Sequence, residues 1–374
     1  MTWRVPLFRI YWDQKDLEAV SAVLTRGTYW AEGPEIAGFE EALRAYCGRT
    51  RCTVFNSGTS GLHAALLAYG IGPGDEVIVP SFTFIATANA PRFVGAVPVF
   101  ADIETLSLGL DPADVAERIT PSTKAIVPVH YGGMPCRIRA LRELADDHGI
   151  LLLEDAAEAF GATVGSGMIG TFGHAGMYSF CQNKIITTGE GGAIVSDDPD
   201  LHRRLELLRS HGRESGLPYF SSTSGADYTA LGYNFRLPTM GAALGIAQLA
   251  KAEWIITRRR ELAAAYEKAF RGIREIALLP EPAGERAVYQ LYSVRCSNRD
   301  ALQSYLAERG IMTKVYFPPV HQTAFYRGSG EARALPRTEE VASDILTLPL
   351  FPSMTAGEQE LVADTVAEFY QTTE

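Results

Sequence analysis

The sequence predicts an α/β fold: a large unit built on a sheet covered on both faces, closed by a smaller α+β unit. Three observations carry this. From residue 52 onward, short apolar runs alternate with amphipathic stretches, the pattern of strands separated by helices. That alternation stops after Asp197, and a helix-rich stretch follows from about Thr239 to Phe270. A compact mixture of strand and helix patterns then closes the chain. A length of 374 residues accommodates two domains. The boundary is placed near 250, giving a large unit over 1–250, with a helical N-terminal segment, and a small one over 251–374.

Taken in order, the first helix has Leu17, Val20 and Leu24 on one face, Asp13 to cap it and Gly27 to end it. A second helix carries Phe39, Leu43 and Tyr46 and stops at Gly48. Strands are expected at 52–55, 76–79, 97–101, 125–129, 150–154, 176–180 and 193–196. Helices fit 138–148 and 200–210. The Ser- and Gly-rich stretch 215–227 reads as a mobile loop. In the C-terminal unit, strands are expected at 288–296 and 312–317, with a helix over 301–309. The last helix opens on Thr355-Ala-Gly-Glu358, a capping box, with Val362, Val366 and Phe369 on its apolar face.

Composition narrows the function. Apolar residues are 47% and charged residues 21%, ordinary for a soluble folded chain, and the net charge is −10. An acidic chain is a poor general binder of nucleic acid or of anionic membranes. A few local donors can still hold an anionic small molecule. The five cysteines form no CxxC pair, which fits buried free thiols better than a disulfide scaffold or a zinc ribbon. No histidines pair at metal-ligand spacing, so no metal site is expected. The N-terminus has no continuous apolar leader, and no uncharged run has the composition of a membrane span. The expectation is a cytoplasmic protein.

Four segments carry chemistry. Phe55-Asn-Ser-Gly-Thr-Ser-Gly61 follows a strand and opens a helix, so Gly58, Thr59 and Ser60 could present N–H and hydroxyl groups to a phosphate. The plain alternative is an N-cap by Ser57 or Thr59. Ile150-Leu-Leu-Leu-Glu-Asp-Ala-Ala-Glu158 ends an apolar strand with acids, where open α/β sheets bind ligands. A capping Asp is the alternative. Lys184 stands between an apolar run and the glycine-rich turn Thr188-Gly-Glu-Gly-Gly192, surroundings that suit a nucleophilic amine as well as a surface lysine. Gly165-Ser-Gly-Met-Ile-Gly170 imitates a dinucleotide fingerprint, but no helix pattern follows it.

The order and spacing of these segments resemble the DegT/DnrJ/EryC1/StrS family of pyridoxal phosphate (PLP)-dependent sugar aminotransferases. The likeness rests on Ser57-Gly-Thr-Ser60, on Pro80-Ser-Phe-Thr-Phe-Ile-Ala-Thr87, and on Glu154-Asp-Ala-Ala-Glu158. It rests further on Ser179-Phe-x3-Lys184-x3-Thr-Gly-Glu-Gly-Gly192 and Gly232-Tyr-Asn-Phe-Arg236. It implies the fold-type I aminotransferase fold, with a large α/β domain holding a mostly parallel mixed sheet and a smaller C-terminal α+β domain. It implies a homodimer with shared active sites. By the same likeness, Lys184 forms the internal aldimine and shuttles the proton, and Asp155 pairs with the pyridinium nitrogen. Phe84 stacks on the ring. Gly58, Thr59, Ser60 and Ser179 lie at the phosphate, and Asn234 reaches it from the neighbouring subunit. Glu158 lies near the ring face or phenolic oxygen.

The reaction implied is a two-half transfer through pyridoxamine phosphate, with glutamate as donor and a keto sugar as acceptor. Glu158-Ala-Phe-Gly161, Ile186-Thr-Thr-Gly-Glu-Gly-Gly192 and Phe317-Pro-Pro-Val-His321 look most like the perosamine synthase branch, which aminates C4 of nucleotide-linked 4-keto-6-deoxy sugars. Tyr316 and His321 are then substrate contacts, or else a core tyrosine and a loop histidine. A 3-amino sugar or cyclitol aminotransferase of the same fold, and a non-catalytic PLP-binding regulator, are the competing readings. Lys184 speaks against the deoxygenating members that carry histidine there.

Overall fold

Each apolar run between residues 51 and 196 becomes a strand of one seven-stranded sheet in the computed structural model, which describes residues 3–214, 225, 227–328 and 333–372. The expected loop over 215–227 lies, apart from 225 and 227, outside the described residues. In chain order the first elements are helices α1 (Gln14–Arg26) and α2 (Pro34–Cys47), strand β1 (Arg51–Phe55), α3 (Gly58–Ala68) and β2 (Glu76–Pro80). Next come α4 (Ile85–Phe93), β3 (Val97–Ala101), α5 (Pro112–Arg118), β4 (Thr123–Ile126), α6 (Ile138–His148) and β5 (Leu151–Asp155). A hairpin of β6 (Thr163–Val164) and β7 (Gly167–Met168) precedes β8 (Ala175–Ser179), β9 (Gly192–Ser196) and α7 (Pro199–Arg209). Helices α8 (Thr239–Leu249) and α9 (Ala252–Phe270) lead to β10 (Ile276–Leu278), β11 (Glu285–Arg286), β12 (Tyr292–Cys296) and α10 (Arg299–Glu308). The chain closes with α11 (Ala324–Arg327), α12 (Pro336–Asp344), β13 (Ile345–Leu348) and α13 (Ala356–Thr372).

The sheet order is β1-β9-β8-β5-β4-β2-β3. Pairings from β8 through β5, β4 and β2 to β3 are parallel, and β9 runs antiparallel between β8 and β1. Every strand except β9 therefore points the same way, and their C-terminal ends share one edge. Side-chain alternation splits the strands between two cores. Val54, Ile78 and Leu152 pack with Phe39 and Leu43 of α2 and Leu141 of α6. Phe55, Val77, Val79 and Leu153 pack with Leu62 and Leu66 of α3 and Leu201 and Leu205 of α7. Burial on both faces is what the apolar runs required. A third core joins Leu262, Tyr266 and Phe270 of α9 to β12, α10, β13 and α13. Helix α9 also sends Ile255 and Ile256 into the first core, so one helix serves both units.

The Gly165–Gly170 run forms the β6–β7 hairpin, paired through β6 with β11; no helix follows it, and the dinucleotide reading falls. All five cysteines are free, and only Cys181 is not fully buried. Among the described residues no helix is long and apolar enough to cross a membrane.

Two expectations need correction. Helix α1 has the expected Asp13 capping box and left-handed Gly27 stop, but Leu17 and Leu24 are exposed while Asp16 and Val23 are buried. The helix docks on α8 through a polar lock: Asp16 accepts from Gln248 Nε2 at 3.1 Å and from Lys251 Nζ at 2.7 Å. A three-residue apolar face could not reveal a buried, paired carboxylate. Residues 312–317 form no strand. The segment makes a single bridge to the sheet, Lys314 to Thr347, on the edge of β13 that faces away from β12.

Candidate active site

The shared C-terminal edge of the parallel strands gathers the chemistry-bearing segments, as open α/β sheets do. At the end of β1, Ser57 caps α3 by accepting from Ser60 N–H at 3.1 Å, with its hydroxyl 2.9 Å from that of Ser60. Capping and anion binding are therefore not alternatives here. The cap uses the Ser60 N–H, while those of Gly58 and Thr59, in the first helical turn, have no acceptor among the described residues. A Cβ on Gly58 would lie 2.8 Å from Met177 Sδ and 3.2 Å from Ser179 Cβ. Only glycine lets this helix start so close to the end of β8. The Gly58 and Thr59 N–H groups are thus free at a helix start that abuts Ser179, with Thr59 and Ser60 on the same turn, a cradle whose groups suit a phosphate.

The acid pair at the end of β5 divides by the alternation of strand side chains. Glu154 is fully buried and accepts from the N–H groups of Gly170, Phe172 and Gly173 at 2.8, 2.7 and 2.6 Å, with His130 Nε2 at 3.2 Å. It is an internal brace. Asp155 is also buried but, among the described residues, accepts only from Thr87 Oγ1 at 2.8 Å and Ala157 N–H at 3.1 Å. Burial pushes its carboxyl above the ordinary 3.8, against the lowering effect of the Thr87 hydroxyl, the Ala157 N–H and the Lys184 charge. A buried carboxylate so sparsely bonded is suited to a cation placed beside it.

Lys184 follows β8 in an irregular turn and is mostly buried. Its Nζ lies 3.4 Å from Glu158 Oε1, and Glu158 Oε2 accepts from the Gly132 N–H at 2.8 Å. Gly132 has a φ of 62°, which glycine adopts without strain, in the tight turn after β4. Tyr316 lies on this side too: its backbone oxygen accepts from the buried Tyr131 hydroxyl at 2.5 Å, and burial, then the Glu158 charge, raise its phenol. Phe84 caps α4 without a side-chain bond, is exposed, and has its ring 6.1 Å from that of Phe317.

Two residues stand apart. Asn234 is exposed, and its backbone oxygen accepts weakly from Asn56 Nδ2 at 3.4 Å. His321 is buried, with Nδ1 2.6 Å from the Ser81 hydroxyl and Nε2 3.2 Å from Glu339. Both ring nitrogens are engaged within the protein, so in this structure His321 ties its segment to the end of β2 rather than presenting an open contact. Thr87 closes the Pro80–Thr87 motif but was given no role from sequence, and Gly132 was not singled out. The glycine pair after a strand in Val129-His-Tyr-Gly-Gly133 was an available signal for Gly132.

This donor set fits pyridoxal phosphate. The α3 cradle suits its phosphate, Asp155 suits a protonated ring nitrogen, and Lys184 suits its aldehyde. The chain is matched over residues 11–367 by the model of the DegT/DnrJ/EryC1/StrS aminotransferase family. Among solved structures, DesV of S. venezuelae, determined in complex with a ketimine intermediate, is 38% identical over 99% of both chains, with a TM-score of 0.90. The sugar aminotransferase CalS13 of Micromonospora echinospora is 31% identical, covering 97% of this chain and 99% of its own, with a TM-score of 0.90. Spr1654 of Streptococcus pneumoniae, solved in a PLP form and a PMP form, is 24% identical over 99% of both chains in the PLP form, with a TM-score of 0.92, a likeness of fold. The chain belongs to the DegT/DnrJ/EryC1/StrS aminotransferase family and is a PLP-dependent aminotransferase.

Proposed function

We propose that the enzyme moves an amino group from glutamate to C4 of a nucleotide-linked 4-keto-6-deoxy sugar. The observation that carries the chemistry is the Lys184–Glu158 pair, set beside a buried and sparsely bonded Asp155 at the mouth of the α3 cradle. Bound there, pyridoxal phosphate supplies an electron sink for the bonding electrons of the amino-bearing carbon. Lys184 would hold the aldehyde through Nζ, and the same amine, when free, would be placed to take up and return a substrate proton. Glu158, held from behind by Gly132, keeps that Nζ on one side of the site. Asp155 holds a proton on the ring nitrogen opposite. Thr87 orients its carboxylate. Phe84 offers a ring face at the rim. Tyr316 contacts the sugar.

The C4 assignment is supported by Glu158-Ala-Phe-Gly161 and Ile186-Thr-Thr-Gly-Glu-Gly-Gly192, which look most like the C4-aminating branch. Supplying dTDP- and GDP-linked 4-keto-6-deoxy sugars with glutamate, and locating the new C–N bond by NMR, tests it. Nitrogen at C4 is expected. Nitrogen at C3, or turnover only with a keto cyclitol, rejects the C4 reading and leaves the transaminase standing. No turnover with any keto acceptor favours a PLP-binding regulator.

The working form is a homodimer in which Asn234 serves the partner's phosphate site. Asn234 is exposed in the single chain, and the first thirty residues expose Trp12, Leu17, Leu24 and Trp30. Mixing Lys184→Ala with Asn234→Ala subunits should restore part of the activity, since each hybrid contains one site free of both changes. Absence of rescue after verified subunit exchange assigns Asn234 to its own subunit or to neither.

A further inference from the structure

Between β11 and β12 the chain crosses the site as a strap, residues 287–291. Its backbone is laced to the turn that holds Glu158: Val288 N–H donates to Gly133 oxygen at 3.0 Å and Leu291 N–H to Gly132 oxygen at 3.1 Å. Arg259 of α9 secures it from the other side. Its guanidinium is 3% exposed and donates through one nitrogen to the carbonyls of Tyr289, Gln290 and Leu350 at 3.0, 3.3 and 3.2 Å. Among the described residues it has no carboxylate partner, and burial alone brings its pKa down to about 10. Tyr289 is held at a φ of 48°, a left-handed conformation that costs a side-chain-bearing residue free energy and persists only where its surroundings impose it.

These features converge on Gln290. Its side chain is 4% exposed, and its Nε2 donates to the backbone oxygen of Asn183. Among the described residues its Oε1 has no partner, so the amide is buried for its donor end. The Asn183 carbonyl belongs to the same peptide unit as the Lys184 N–H, and that N–H donates to Cys181 oxygen at 3.0 Å. Both ends of the peptide plane leading into Lys184 are thus hydrogen-bonded, one by the lysine's own turn and the other by the strap.

We propose that Gln290 is a positioning residue for the transamination: its amide fixes the peptide plane from which Lys184 projects, while the strap around it fixes the turn holding Glu158, so the amine and its counter-carboxylate are set by one segment. The proposal rests on Lys184 being the reacting amine. The turn carrying Lys184 has no helix or ladder to fix it, so a lost bond there lets Nζ drift.

The test compares the PLP-loaded parent with Gln290→Met, which keeps the length and loses the donor, and with Gln290→His, which restores a ring N–H. Three readouts are taken: the thermal midpoint, the pH midpoint of the lysine-bound chromophore, and its bleaching by glutamate in a single turnover. For Gln290→Met the bleaching rate at saturating glutamate should fall about a hundredfold while half-saturation changes less than about threefold, as misplacement of a reacting group produces. The chromophore's pH midpoint should move, and Gln290→His should recover most of both changes. A Gln290→Met rate within about threefold of the parent overturns the proposal, because it is far smaller than misplacement demands. So does Gln290→His falling as low as Gln290→Met, which assigns the loss to packing. Should Gln290→Met not fold, Gln290→Glu assayed at alkaline pH sets an acceptor against the Asn183 carbonyl. It should be slow, and a parental rate overturns the proposal. A parent that forms no chromophore instead overturns the assignment of Lys184, a failure visible before any substitution is made.

Discussion

Lys184→Ala is expected to lose turnover by about four orders of magnitude or more, because no other group takes over both anchoring and proton transfer when a nucleophile is removed. The structure makes the prediction specific. Lys184 is mostly buried, with Nζ 3.4 Å from Glu158, so its amine is confined to the site rather than ranging through solvent. The parent loaded with PLP should be yellow, and borohydride should fix the cofactor to the peptide containing Lys184. Label recovered on Lys251 or any other lysine overturns the assignment. The substitution should leave the fold intact, because Glu158 keeps its bond from Gly132. A melting midpoint within a few degrees of the parent separates loss of chemistry from loss of structure.

Asp155→Asn is expected to lower turnover about a hundredfold or more. A change of two pKa units at the ring nitrogen corresponds to about 2.7 kcal/mol between its protonation states. The linkage to stability has a definite sign. Burial raises the Asp155 carboxyl above 3.8, so the folded chain without cofactor holds this proton more tightly than the unfolded chain. Its contribution therefore falls as pH rises from 3.8 through the raised folded value, and at neutral pH the folded state bears the full penalty. A cation beside Asp155 offsets that penalty. Cofactor-free Asp155→Asn should thus melt no lower than the cofactor-free parent at pH 7.5, whereas PLP should raise its midpoint less than it raises the parent's. An Asn variant with near-parental turnover, or an unchanged PLP-induced rise, contradicts the pairing.

Much of the site was readable because its parts are local. Ser57, Gly58, Thr59 and Ser60 lie in one helix start, Asp155 and Glu158 in one strand end and turn, Ser179 and Lys184 in one strand end and loop. Each is a short stretch whose residue types and spacing can be read without knowing what packs around it. The strand positions were readable for the same reason: a strand buried on both faces must be apolar along its length, whatever covers it. Glu154 was a harder case. Its identity was plain, but adjacent strand residues point to opposite faces, and only the placement of the β6–β7 hairpin and the turn after it turned one acid of the pair into a brace.

Local sequence was enough for the family and for the alternation of the large unit. Short-range backbone preferences and apolar periodicity encode these within windows of about ten to twenty residues. Tertiary structure alone decided which distant residues meet. Asp16 is buried because Gln248 of α8 and Lys251, just before α9, meet it from more than 230 positions away. Residues 312–317 meet the small sheet only through the Lys314–Thr347 bridge, on the edge of β13 that faces away from β12. His321 is closed off by Ser81 and Glu339. Gln290 becomes a neighbour of Lys184 only because Arg259, three carbonyls and a left-handed Tyr289 hold the strap across the site. The physical reason is common to all four. A polar side chain's role is set by which partner reaches it when it leaves water, and the partners here come from elements distant in sequence, where no local pattern records the meeting.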